Sequence, residues 1–137
     1  MKEHPPFLIK FLKTEYGSHP GYEFLESSPL KVRAKMKAAL VAVSEAPPWR
    51  FSGGGMWEAM RGNLQGFYEI RVDEPGTRTH FRLFCLLEAN VNKSSESYLV
   101  VLDGASKKRG TVLPSRRYEA IKSLGKYYWE TDPRPVS

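Results

Sequence analysis

The feature that most constrains the fold is an alternation of apolar and polar residues between positions 67 and 87, interrupted once by a turn. Residues 67–72 (Phe-Tyr-Glu-Ile-Arg-Val) alternate as a half-buried β-strand does, and residues 79–87 form a second strand. Between them, Asp-Glu-Pro-Gly at 73–76 has proline and glycine where a type II or related hairpin turn needs them. The sequence therefore predicts a β-hairpin.

The turn also predicts which residues face one another. A two-residue turn at 75–76 sets Arg71 opposite His80. It sets Glu69 opposite Arg82, two positions farther along each strand. One face then carries the apolar side chains of Tyr68, Ile70, Val72, Phe81, Leu83 and Cys85. The other face carries four polar groups, namely Glu69, Arg71, His80 and Arg82.

The polar face of the hairpin has a structural and a chemical interpretation. In the first, Glu69 and Arg82 form a cross-strand ion pair worth about 0.2–1 kcal/mol. In the second, the two arginines bind a phosphate and a carboxylate or imidazole transfers protons. The hairpin alone favours ion pairing, because charged pairs on solvent-facing sheets are common. The basic run at 107–109, which follows a neighbouring strand, favours the anion site.

The remaining secondary structure is predicted from helical spacing, apolar runs and turn residues. Two helices are expected, the first starting at Ser27-Ser28-Pro29 and ending near Ser44, the second from about Pro114 to Glu130. An additional helical turn over residues 22–26 would form a helical hairpin with the first helix. The other expected segments are an edge strand at 7–13, a loop at 49–66, a buried strand at 98–102, a basic loop at 104–110 and a flexible tail at 130–137.

The loop at 49–66 contains three consecutive glycines at 53–55. They are not followed by Lys-Ser or Lys-Thr, and no buried strand precedes them, so a phosphate-binding P-loop is not expected. Trp57 and Glu58 in the same loop are predicted to pack against the domain.

Length and composition favour one domain spanning residues 1–137. The chain is 41% hydrophobic and 26% charged, which suits a single modest core. No run of eighteen apolar residues and no secretory signal is recognisable, so we expect a cytoplasmic protein without a membrane segment. The single cysteine, Cys85, is predicted to be a small core residue. With three scattered histidines besides, no disulfide, metal site or cofactor is expected.

The net charge of +6 is concentrated in one segment. Residues 104–127 contain seven lysines and arginines against one acid, Glu119, so the rest of the chain is neutral overall. A concentrated positive patch favours a phosphate-rich or acidic partner. A helix face kept soluble by lysine and arginine would have the same composition.

Four motifs in order resemble the RelE/ParE toxin superfamily, particularly its HigB-like, phage-derived branch. They are Tyr-Glu-Ile-Arg at 68–71, His-Phe-Arg-Leu-Phe at 80–84, a strand ending in Leu-Asp-Gly at 102–104 with Ser-Lys-Lys at 106–108, and a helix bearing Tyr118. The resemblance covers residues 28–128. It implies an α+β microdomain with a small twisted antiparallel sheet, N-terminal helices packed on one face and a C-terminal helix.

The resemblance also implies a function, that of the toxin in a type II toxin-antitoxin pair. Many such toxins are ribosome-dependent mRNA endoribonucleases that inhibit translation without a metal. The ribose 2′-oxygen attacks the adjacent phosphate and leaves a 2′,3′-cyclic phosphate. This chemistry needs a general base, cations for the dianionic transition state and an acid for the leaving 5′-oxygen.

The resemblance assigns roles to individual positions. Arg71 and Arg82 would hold the scissile phosphate, and Glu69 or His80 would be the general base. Tyr118 would stack on a base, although a core aromatic at helical spacing is an equal alternative. The further cations are Lys107 and Lys108 at the catalytic site, with Arg109, Arg116, Arg117 and Lys122 expected to bind RNA.

Two other functions stay open at this stage. One is inhibition of DNA gyrase, as in the ParE branch, and the other is a catalytically silent relative that binds an antitoxin. The implied partners are a HigA-like helix-turn-helix antitoxin, the ribosome and mRNA. Operator DNA would be reached only through the antitoxin.

Overall fold

The computed structural model describes residues 6–46 and 56–137. Within these ranges the helices are α1 (Pro20–Ser27), α2 (Leu30–Glu45) and α3 (Ser115–Glu130). The strands are β1 (Leu8–Phe11), β2 (Trp57–Ala59), β3 (Tyr68–Glu74), β4 (Thr79–Glu88) and β5 (Tyr98–Lys108). All five strands join one sheet in the order β1-β5-β4-β3-β2. The α+β class expected from the sequence is confirmed.

The sheet is mixed rather than wholly antiparallel. β2, β3, β4 and β5 pair antiparallel in succession, but β1 pairs parallel to β5, with Leu8 beside Tyr98. The expectation of an antiparallel sheet is therefore wrong for one strand. β1 and β5 can run parallel because the chain between them, two helices and three strands, is long enough for such a connection.

The sheet separates two apolar clusters. On one face, Leu25 of α1 and Met36 and Leu40 of α2 pack on the apolar side chains of β3, β4 and β5. On the other face, Ile121 and Tyr128 of α3 pack on Phe84 and neighbouring residues of β4 and β5. The helices thus form a layer on each side of the sheet. The second layer, α3, lies on the same side of the sheet as the candidate site.

The helical hairpin forms as expected, but its predicted serine cap does not. α2 begins at Leu30 after Pro29, and no side chain caps its N-terminus. The hydroxyl of Ser28 instead donates a hydrogen bond to the carbonyl of Phe24 in α1, 2.8 Å away. The serine therefore closes the preceding helix, while proline sets the direction of the next one.

The β3–β4 hairpin has a longer loop than predicted. Glu74 pairs with Thr79 rather than Thr77, so residues 75–78 form the loop. The Arg78 N–H donates to the Pro75 carbonyl at 3.2 Å, and Arg78 has a φ of 57°. Proline cannot adopt the positive φ that a two-residue hairpin turn usually requires at its centre, so the loop lengthens.

The change of register moves each partner by two residues. Arg71 faces Arg82, and Glu69 faces Phe84, whereas the sequence predicted His80 and Arg82 as their partners. Because side chains alternate with a period of two, the shift leaves both predicted faces unchanged. Buried Cys85 lies on the apolar face as expected, and burial raises the pKa of its thiol.

β5 continues well beyond its predicted end. The sequence predicts a strand over 98–102 and a basic loop over 104–110, but pairing with β4 extends to Lys108. The register shifts between Phe84 and Cys85, where Phe84 pairs with Asp103 and Cys85 with Val101. This β-bulge keeps the strand paired through a segment whose polar composition is typical of loops.

The segment expected as a flexible tail is hydrogen-bonded to β1, which corrects that prediction. The backbone N–H of Phe11 donates to Ser137, and the N–H of Ser137 donates back to Phe11, at 3.0 and 3.1 Å. Lys13 donates to the Pro135 carbonyl at 2.7 Å. An edge strand offers unpaired backbone groups, and these residues satisfy them.

The loop expected at 49–66 lies partly outside the described residues, including its three glycines. Within the described part, residues 57–59 form β2 and residues 62–64 a short 3-10 helix, so that part of the prediction is wrong. Trp57 packs as predicted. It is fully buried and stacks on Tyr68 with ring centroids 4.9 Å apart.

A close approach of α1 to β5 predicts one position that cannot accept a side chain. A Cβ on Gly21 would lie 2.6 Å from the Val101 side chain and 3.2 Å from its carbonyl oxygen. We expect Gly21→Ala to lower the free energy of unfolding by about 1–3 kcal/mol, measured by urea denaturation. Gly76→Ala is the control, because nothing lies within 4 Å of its Cβ position. Equal stability of the two variants would contradict the prediction.

Candidate functional site

A polar surface covers the part of the α3-side sheet face that lies next to the N-terminal end of α3. β3 and β4 contribute it, because the residues that alternate with their buried apolar side chains point to this side. Its members, named here the hairpin cluster, are Glu69, Arg71, Asp73, His80 and Arg82. The cluster is open to solvent at Asp73 and Arg71, whose side chains are 62% and 41% exposed.

The centre of the hairpin cluster is a carboxylate between two guanidinium groups. Glu69 is 9% exposed, and its Oε2 lies 2.9 Å from both Nε and Nη2 of Arg71. Its other oxygen, Oε1, lies 3.7 Å from Nε of Arg82. The two arginines are direct cross-strand partners. Both carboxylate oxygens thus hold the guanidinium groups side by side.

A second carboxylate orients the histidine. Nδ1 of His80 and Oδ1 of Asp73 are 2.6 Å apart, and Nη1 of Arg82 lies 3.6 Å from the same oxygen. Partial burial raises the pKa of Asp73, but the hydrogen bond with His80 and the charges of His80 and Arg82 outweigh it and lower the pKa overall. Asp73 is therefore ionised at neutral pH. With Nδ1 donating to it, neutral His80 presents Nε2 as a proton acceptor.

The two lysines predicted for the site separate onto opposite sheet faces. Lys107 is the cross-strand partner of His80 and so shares its face, where its ammonium donates to the Thr111 carbonyl at 2.9 Å. Lys108 pairs with Thr79, and its ammonium lies 3.3 Å from the Thr77 carbonyl. Of the two, Lys107 lies on the face of the hairpin cluster and Lys108 on the other face, because alternation in an extended strand sends consecutive side chains to opposite sides.

Tyr118 lies beside the hairpin cluster, against the sheet. Its half-buried ring meets Phe84 edge to face, with centroids 6.3 Å apart, and Phe84 is the cross-strand partner of Glu69. This packing agrees with the core-aromatic alternative from the sequence, and stacking on a base stays a prediction. Tyr118 packs on the second apolar cluster and also lines a surface groove.

The predicted RNA-binding residues do not form one patch. The Arg117 guanidinium lies 3.4 Å from Asp103 Oδ2 and also donates to the Gly104 carbonyl. Burial raises the pKa of Asp103, and the Gly104 N–H and Arg117 only partly offset it. Arg116 is exposed beside Arg117, and exposed Arg109 follows β5, where its backbone N–H donates to Arg78.

Lys122 occupies a different side of α3. It lines a groove that also contains Tyr118 and Arg61. Arg116 and Arg117 instead line a separate depression next to Ala105. The helical rotation of 100° per residue separates these cations, although they are close in sequence.

Sequence reasoning missed Asp73 because it assigned that residue to the turn. The signal was present, since Asp73 continues the polar alternation of Glu69 and Arg71. The four-residue loop keeps Asp73 in β3 and pairs it with His80. This pairing turns an isolated histidine into one with a fixed orientation.

No protein-family model, curated protein or solved structure matches this chain. The relation to the RelE/ParE superfamily therefore stays a prediction made from the residues. In the ranges that the structure describes, no three His, Cys, Asp or Glu side chains are grouped so that they could hold a metal ion. Nor does any helix there have the length and apolar composition to cross a membrane.

Proposed function

We propose that this chain is a HigB-like toxin of the RelE/ParE superfamily and acts as a ribosome-dependent mRNA endoribonuclease. The observation that carries the proposal is the direct pairing of Arg71 with Arg82 on an open sheet face, beside an oriented His80. Two guanidinium groups on adjacent strands suit a phosphodiester, which each can bind through paired N–H donors.

The cluster supports an assignment of roles in 2′-oxygen attack. The 2′-hydroxyl oxygen attacks phosphorus while its proton passes to Nε2 of His80, and Arg71 and Arg82 stabilise the dianionic transition state. The bond between phosphorus and the 5′-oxygen breaks, and the departing oxygen takes a proton from Lys107. The products are a 2′,3′-cyclic phosphate and a 5′-hydroxyl end.

Glu69 suits an anchoring role better than that of general base. Both of its oxygens face arginines, and the residue is nearly buried. A base must reach the substrate hydroxyl directly or through one water. His80, 23% exposed and hydrogen-bonded through only one ring nitrogen among the described residues, has the accessible lone pair.

We expect His80→Gln to lower the cleavage rate about 100-fold, because the general base is lost. Asp73→Asn should have a smaller effect, because the amide is no longer the ionised acceptor that orients the ring of His80. Single-turnover cleavage of ribosome-bound mRNA measures both. His19→Gln is the matched control, because His19 contacts Ser137 away from the cluster. An unchanged rate in His80→Gln would remove this histidine from the mechanism.

The function itself is tested by inducing the chain in bacteria and mapping mRNA 5′ ends by primer extension. We expect growth arrest and new 5′ ends within translated regions. Arrest without new ends, together with inhibited supercoiling by purified gyrase, would replace the nuclease with a ParE-like gyrase inhibitor. Cleavage of free mRNA at the same rate as ribosome-bound mRNA would contradict the dependence on the ribosome.

A catalytically silent, antitoxin-binding relative is the second candidate. The observation that favours it is the neutralisation of both arginines by Glu69 and Asp73 within the protein. Arginines that are already paired with carboxylates of the protein gain less free energy from binding a phosphate than unpaired arginines do. Unimpaired growth on expression without an antitoxin would support this candidate.

The proposed partners follow from the toxin function. They are a HigA-like helix-turn-helix antitoxin, the ribosome with its mRNA in the cytoplasm, and operator DNA only through the antitoxin. Copurification of the chain with the product of an adjacent gene, and recovery of growth when both are expressed, would test the pairing.

A further inference from the structure

Two adjoining depressions run along one side of α3 and share Glu119 and Lys122 in their walls. The first, about 410 Å³, lies between the start of α3 and residues 60–64. The second, about 450 Å³, lies against Phe67 and the later turns of α3. Together they form one surface, named here the α3 groove, bounded by Arg61, Phe67, Tyr118, Lys122, Lys126 and Trp129.

The charges of the α3 groove are mainly positive. Arg61, Lys122 and Lys126 are exposed, and Glu119 is the one acid among its lining residues. All three cations have long side chains that can follow a phosphate backbone. A groove of this charge attracts an anionic chain.

Three aromatic rings are spaced along the same groove, and each is held by a neighbour. The Phe67 ring lies against Gly125, where a Cβ would come within 2.5 Å of it. The Trp129 ring, 44% exposed, has the Arg134 guanidinium 5.3 Å from its centroid. Tyr118 is fixed by its contact with Phe84. Rings with fixed orientations can stack on unpaired bases at a low cost in conformational entropy.

Tyr118 brings one end of the α3 groove near the hairpin cluster. Tyr118 contacts Phe84, the strand partner of Glu69, and the groove then follows α3 to Trp129. With a rise of 1.5 Å per residue, Tyr118 and Trp129 are separated by about 16 Å along the helix axis. A strand whose phosphate lay between Arg71 and Arg82 could therefore continue into the groove.

We propose that the α3 groove binds single-stranded RNA flanking the bond that the hairpin cluster cleaves. The proposal rests on the proposed nuclease function for the direction of the strand. RNA is favoured over a protein segment because the groove combines three cations and three aromatic rings with a single acid, Glu119. The cores of protein interfaces are depleted in lysine, whereas grooves for single strands combine cations with stacking rings.

The test uses a fluorescently labelled, fully 2′-O-methylated RNA oligonucleotide, which cannot be cleaved because its 2′-oxygen cannot attack. Affinity is measured by anisotropy over a series of salt concentrations. For Lys122→Ala/Lys126→Ala we expect about 20-fold weaker binding at 0.1 M salt, with the slope of log K against log salt reduced by about 1.4. For Trp129→Ala we expect about tenfold weaker binding through lost stacking.

The matched control is Lys31→Ala/Lys37→Ala, which removes the same charge from exposed positions of α2, the helix that packs on the opposite sheet face. It should keep the wild-type affinity and slope. Thermal unfolding of all variants checks that they fold. Because Lys122 and Lys126 are exposed, we expect their double variant to fold more reliably than Trp129→Ala. If the two double variants weaken RNA binding equally, the affinity comes from nonspecific charge rather than from the groove, and the proposal is overturned.

Failure of the groove can be distinguished from failure of the nuclease. If induced cells produce new mRNA 5′ ends while the groove double variant keeps full affinity, the groove proposal is wrong and the nuclease stands. If the groove variants lose affinity but the wild type produces no new ends, RNA binding stands without cleavage. If the groove variants keep the wild-type affinity for RNA but no longer bind an acidic helical peptide, the groove binds a protein partner and the RNA proposal is wrong.

Discussion

Arg82→Ala should lower the rate of mRNA cleavage about 100- to 1,000-fold and relieve growth arrest, the largest functional effect expected here. Arg82 is the better-held member of the arginine pair, with its side chain 13% exposed between Glu69 and Asp73. A preorganised cation in a partly dry site stabilises developing negative charge without having to reorganise. Induced cultures are followed by growth and primer extension, and the purified variant by single-turnover cleavage.

Two further variants sharpen this prediction. Arg82→Lys keeps the charge but loses the planar fork, so we expect most of the loss to remain. Arg78→Ala removes an arginine from the loop of the same hairpin, outside the cluster, and should leave cleavage unchanged. Full toxicity of Arg82→Ala, or an equal loss in Arg78→Ala, would contradict the proposed phosphate site.

Arg134→Ala should lower the free energy of unfolding by about 3 kcal/mol, the largest effect expected on stability. The Arg134 guanidinium contacts both oxygens of Glu88 at 2.9 and 3.0 Å, and the Tyr128 hydroxyl donates to Glu88 at 2.6 Å. The guanidinium also donates to carbonyls at the end of α3, including that of Trp129 at 3.0 Å. Its loss would leave a Glu88 side chain that is 11% exposed without its cation.

Urea denaturation measures the effect, and Lys37→Ala is the control. Lys37 and Glu26 form an ion pair at 3.2 Å with side chains 53% and 35% exposed, so its loss should cost no more than about 1 kcal/mol. Losses of equal size in the two variants would contradict the claim that burial makes the Glu88 pair important.

The same pair predicts how stability depends on pH. Burial raises the pKa of Glu88, but the hydrogen bonds from Arg134 and Tyr128 and the Arg134 charge outweigh it and lower the pKa. The stabilisation is therefore fully present above the ordinary value of 4.5 and is lost as the pH falls through the lowered pKa of the folded state. In Glu88→Gln this part of the acid dependence should disappear.

The hairpin illustrates how far alternation carries a prediction. Its strands and faces were correct because a period of two separates apolar from polar side chains whatever the loop length. Its register was wrong because the loop depends on backbone angles around Pro75 and Arg78. The error kept Asp73 out of the candidate site although its neighbours in the cluster had been identified.

Strand pairing between residues distant in sequence was harder to predict than local secondary structure. The extension of β5 to Lys108 and the parallel pairing of β1 both depend on partners distant in sequence. A polar segment such as 104–108 has the composition of a loop, and only hydrogen bonding to β4 makes it a strand. The division of Lys107 and Lys108 between opposite faces follows from that pairing.

The sequence by itself determined the α+β class, the helical hairpin, α3 and the two faces of the β3–β4 hairpin, because these depend on local periodicity and turn residues. Only the tertiary structure decided that Arg71 faces Arg82, that Asp73 orients His80, and that Tyr118 shares a groove with Arg61. These contacts join residues from different elements. Their geometry depends on register, helix rotation and packing, which local spacing does not specify.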